Sequence, residues 1–130
     1  MSQVMLKKIR SLIQHPHYLK GCIVIFSSAV MSILFLSLKS GTVDLLNVDG
    51  FDKIQHAGAY FILGLITALL VRGRQYCFAL IILWLMSGCV ELIQSFEPSR
   101  QGSVYDWGAN FVGLVLAYIV SREVKKFIVV

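Results

Sequence analysis

Charge is scarce in this chain. Asp, Glu, Lys and Arg make up 15% of its residues, against about 25% in soluble domains. Residues 21–38, 54–71, 75–90 and 107–121 carry none of these four types. Proline occurs twice, as Pro16 before the first of these stretches and Pro98 after the third. Cysteine is limited to Cys22, Cys77 and Cys89, an odd number with no C-x-x-C pair. That pattern excludes a disulfide framework and a thiolate metal site, and the three read as small packing residues. Dense ligand motifs such as H-E-x-x-H are also missing, so no metal or other cofactor is expected. The net charge of +5 comes with no interleaved basic and aromatic face, so no nucleic-acid partner is expected.

What the chain has in place of charge is apolar length. Each uncharged stretch is about long enough to cross a bilayer, which takes roughly 17–25 helical residues. The expected fold is all-α, a four-helix transmembrane bundle with a short N-terminal interfacial helix. Residues 1–18 read as a cytoplasmic amphipathic or flexible basic segment, residues 19–122 as the four-span domain, and residues 123–130 as a cytoplasmic tail. The basic start followed by an apolar run resembles a signal peptide. The run is longer than the usual ~7–15 residues and no small-x-small cleavage site follows, so a retained span is expected.

The connections between spans divide the charges by sign. One side has Lys7, Lys8, Arg10, Lys20, Arg72, Arg74, Arg122, Lys125 and Lys126 against Glu123 alone. The other has Asp44, Asp49, Asp52, Glu91, Glu97 and Asp106 with three bases, Lys39, Lys53 and Arg100. The positive-inside bias makes the first side cytoplasmic and puts both termini there. Most acids then fall at the outer face, some of them inside span ends, where ionisable groups are costly and mark functional sites by default.

Local signals fill in the layout. Asp52 reads as the N-terminal cap of the second span. Arg72-Gly73-Arg74-Gln75 reads as a tight inner turn. Ala109, Gly113 and Ala117 form a small-xxx-small stripe that lets helices approach closely. Tyr105 and Trp107 fall where an outer aromatic belt is expected. Trp84 reads as core or lipid-facing bulk, and Phe96 as packing.

Three clusters hold the polar chemistry. Asp52, His56 and Tyr60, with Lys53 beside them, recur at i, i+4 and i+8 and share a helix face. Tyr60 is a candidate donor to Glu91 or Asp106. Glu91 and Gln94 lie one turn apart, followed by Arg100. Asp106 and Asn110 share a face of the fourth span. Lipid satisfies none of these groups, so the three faces are expected to meet in one outward-open pocket.

The order D-K-x-x-H, E-x-x-Q-x-F-x-P-x-R and D-x-x-x-N-x-x-G over residues 52–113 resembles the VanZ-like family of small bacterial membrane proteins, named after a teicoplanin-resistance accessory protein. The resemblance implies a cell-envelope role in the bacterial cytoplasmic (inner) membrane and a link to glycopeptide tolerance, and supplies no mechanism. Three functional readings follow. In the first, Asp52, Lys53, His56, Tyr60, Glu91, Gln94, Arg100, Asp106 and Asn110 line a pocket for an anionic lipid or lipid-linked wall-precursor headgroup, with Arg100 suited to an oxyanion. In the second, the same residues are a structural network in a non-enzymatic subunit with a membrane-protein partner or a second copy. In the third, His56 with Glu91 or Asp106 serves acid–base chemistry, with Ser103 or Tyr60 as nucleophile, or the three hold a divalent ion. Enzymatic activity is the least expected of these.

Overall fold

The structure, a computed structural model, describes residues 16–38, 50–96 and 103–129. These residues form four helices: α1 (Pro16–Leu38), α2 (Phe51–Leu70), α3 (Arg74–Gln94) and α4 (Val104–Val129). Each is long and apolar enough to cross a membrane, the build of a multi-pass membrane protein. The interfacial helix expected over residues 1–15 lies outside the described residues, as does Arg100. Pro16 is the first described residue of α1. At the other end, α4 continues without a break through the expected tail to Val129.

Asp52 does not cap α2. The cap is Gly50, with φ 82°, and it makes no side-chain bond to the first turn. Glycine enters that left-handed region without steric cost. Asp52 sits inside the first turn, where its charge still faces the positive end of the helix dipole. The turn from α2 to α3 is tight, as the sequence implies. Val71 is extended and its N–H bonds Thr67 O at 3.1 Å, and Gly73 at φ 58° starts α3.

The helices run up and down in turn. The C-terminal end of α3 meets that of α1, where the Gln94 amide donates to the Ser37 carbonyl. The start of α2 meets the end of α3 and the start of α4. The most extensive contact is between α2 and α4, and small residues explain it. Gly113 is buried against the Ala57 carbonyl and the Phe61 backbone nitrogen. One turn further, Ala117 is fully buried opposite Gly64. Around this seam lies a core of Tyr60, Leu63, Tyr76, Leu80, Leu83 and Leu114. At the basic end, the Tyr76 hydroxyl bonds Gly64 O at 3.1 Å and Ser121 Oγ at 3.2 Å. The Lys125 ammonium lies 5.0 Å from the Tyr76 ring centroid.

Helix α1 packs on α2 and α3 and is the least buried of the four. Its apolar residues point in every direction, with Ile23, Val24, Ile25, Met31, Phe35 and Leu36 exposed. A helix apolar all round suits lipid contact. The polar site is built by the other three helices.

Candidate functional site

Three side chains from three helices meet at the acidic end of the bundle. His56 lies in the second turn of α2, Glu91 near the end of α3 and Asp106 in the first turn of α4. His56 Nδ1 is 3.9 Å from Glu91 Oε1, and His56 Nε2 is 3.9 Å from Asp106 Oδ2. The Glu91 and Asp106 side chains keep 9% and 14% of their exposure, and His56 keeps 27%. The other Glu91 oxygen accepts the Ser103 backbone N–H at 3.2 Å. That bond docks the entry to α4 onto the end of α3.

Lys53 forms the rim. Its ammonium is 2.7 Å from Asp52 Oδ2 and 3.6 Å from Asp106 Oδ1, and both Lys53 and Asp52 are about half exposed. Asn110 lies one turn below Asp106 on the same face of α4 and is 1% exposed. Asp106 Oδ1 and Asn110 Oδ1 are buried and accept no hydrogen bond from the described residues. Asp106 Oδ1 has the Lys53 ammonium as its charge partner, so the orphaned atom is Asn110 Oδ1, and it calls for a physical reason because buried polar atoms are nearly always satisfied.

One residue expected in this pocket turns elsewhere. Gln94 bonds Ser37 of α1, because three residues turn a helix about 300° and leave Gln94 about 60° away from Glu91. Tyr60, the candidate donor to Glu91 or Asp106, has a second neighbour. Its hydroxyl engages Ser87, one turn along α3 from Glu91, since Tyr60 lies about 6 Å deeper than His56.

Beside the cluster, a cleft of about 440 Å³ opens between α3 and α4. Leu85, Cys89, Leu92, Val104 and Trp107 give it apolar walls, and it reaches Glu91 and Ser103 at the polar end. Cys89 is exposed in this cleft and does not serve as buried packing. Trp107 is not a simple belt residue. Its ring stacks on Trp84 with centroids 4.6 Å apart and planes 5° apart. Its indole N–H donates to Trp84 O at 3.0 Å. Gly88 makes this possible, because a Cβ there would lie 3.0 Å from the Trp107 indole. Tyr105 and Phe96 are both 79% exposed, so Phe96 does not serve as the packing residue the sequence suggested.

Sequence reasoning missed Gly88, the Ser103 backbone donor and the cleft. Only Gly88 left a readable trace, a small residue one turn before an acid in an otherwise bulky span. The fold and site define a helical multi-pass membrane protein with a mixed histidine–carboxylate cluster at one end. Comparison with protein-family models, curated proteins and solved structures finds no match.

Proposed function

We propose that this chain is a VanZ-like cell-envelope protein of the bacterial inner membrane. In this reading its acidic end faces outward and holds the anionic headgroup of a lipid or lipid-linked wall precursor. The observation that carries the reading is the cleft, whose apolar walls run to Glu91 and Ser103 at the edge of the cluster. An amphiphile needs that combination, an apolar slot for a chain ending at polar groups for a head. Motif order over residues 52–113 supports the family, and through it the link to glycopeptide tolerance. The charge asymmetry supports cytoplasmic termini.

The orphaned Asn110 oxygen weighs against a purely structural network, which would be selected for complete pairing. The hydrolase reading lacks a nucleophile beside His56 among the described residues. The Tyr60 hydroxyl engages Ser87, and Ser103 meets Glu91 through its backbone.

The test uses the full chain in nanodiscs that contain phosphatidylglycerol and phosphatidylcholine, with retained lipid read by native mass spectrometry. The parent should retain the anionic lipid preferentially. Lys53→Ala should lower that preference severalfold while elution and helicity stay unchanged, and Glu91→Gln should lower it less. A parent with no preference, or a Lys53→Ala chain that keeps it in full, would overturn the reading.

A further inference from the structure

His56 faces Glu91 on one side and Asp106 on the other, at distances too long for hydrogen bonds. Both separations are 3.9 Å, beyond hydrogen-bond range. One ligand atom from each residue lies within 4.8 Å of the others. We infer that these three groups form a binding site for one divalent cation, with His56, Glu91 and Asp106 as its ligands.

Ligand geometry fits an ion. Nitrogen and carboxylate ligands stand roughly 2.0–2.2 Å from a metal such as zinc, so two ligands of one ion are at most about 4.2 Å apart. An ion takes only one of the two ring nitrogens, so one 3.9 Å contact falls within that limit, and the remaining separations, within 4.8 Å, close by side-chain rotation. Charge favours a cation too. Among the described residues the cluster brings together the carboxylates of Asp52, Glu91 and Asp106, and the Lys53 ammonium leans on Asp52 and Asp106.

The second line of support is Asn110. It is 1% exposed, shares the Asp106 face of α4, and its amide oxygen accepts no hydrogen bond from the described residues. An amide oxygen is a good ligand for hard cations. One imidazole among oxygen donors suits hard to borderline ions such as Mn²⁺ or Zn²⁺ and disfavours Cu⁺. The ion site stands independently of the headgroup reading. It also removes a difficulty in that reading, because a bound cation would let a phosphate approach these carboxylates.

The experiment takes the full purified chain, strips it with EDTA, and titrates Zn²⁺ and Mn²⁺ by calorimetry and thermal melting. One ion per chain should bind and should raise the melting temperature, since it joins three helices and is bound only in the folded state. His56→Ala, Glu91→Gln and Asp106→Asn should each weaken binding beyond the roughly 10–100-fold that loss of an outer-sphere partner costs. Glu123→Gln at the basic end should change nothing. Pulsed EPR of the Mn²⁺-loaded parent, which needs no variant, should show coupling to one imidazole nitrogen. Failure of both ions to bind, binding that survives all three substitutions, or a missing nitrogen coupling would each overturn the ion site. Lipid preference measured in EDTA reports on the headgroup reading separately, so either proposal can fail while the other stands.

Discussion

Gly113→Leu is expected to prevent the bundle from assembling, and Gly113→Ala should already destabilise it. The cause is backbone against backbone. A Cβ at this position falls on the Ala57 carbonyl oxygen, and the Phe61 nitrogen is 2.9 Å away. Neither atom can rotate aside, so α2 and α4 must separate along their whole seam. Overpacking typically costs about 1–3 kcal/mol. Alanine should fall at the upper end of that range, because the clash is with main chain, and leucine should exceed it. The matched control is Gly108 on the same helix, where a Cβ would meet nothing within 4 Å. Gly108→Ala should be neutral or slightly stabilising, since alanine favours helix by about 1 kcal/mol. Thermal melts of the three purified variants in one detergent measure the contrast. Equal melting of parent and Gly113→Leu would mean that the seam is not a close contact.

The second large effect is expected at Gly88. A leucine there would strike the Trp107 indole and force it off Trp84. This chain has two tryptophans, and they are the stacked pair. The near-UV circular dichroism of the parent should therefore carry a strong signal from two parallel indoles, and Gly88→Leu should abolish most of it. The side chain would also intrude on the cleft, so lipid retention should fall in the same variant. Gly88→Leu with an unchanged near-UV spectrum would contradict the stacking. Gly88→Ala places one carbon at 3.0 Å from the ring and should shift the spectrum only partly.

The spans, their order and the sharing of a polar end by three of them were legible in composition and spacing. Uncharged length sets where helices lie, and i, i+4 spacing sets which residues share a face. Spacing does not say what that face meets. Glu91 and Gln94 look like one cluster in the sequence, yet the angle of about 60° between them decides that one faces α2 and α4 while the other faces α1. Asp106 and Trp107 are neighbours about 100° apart on α4, so one enters the polar cluster and the other packs on α3. The position of α1 depends on packing that its uniformly apolar surface does not encode. The capping of α2 shows a similar limit. Asp52 has the right chemistry for a cap, but the chain reaches the helix through a left-handed turn that glycine supplies two residues earlier.

The proposed outward orientation of the site is tested most directly by labelling at Val104. This residue lines the cleft and is 79% exposed. The chain would carry Val104→Cys, with Cys22, Cys77 and Cys89 replaced by alanine. Intact bacteria with a permeable outer barrier would be treated with a membrane-impermeant maleimide. Labelling from outside without disruption of the inner membrane is the expected result, and an added phosphate-headed amphiphile should slow it. Labelling only after the inner membrane is opened would place the cluster on the cytoplasmic side and contradict the account.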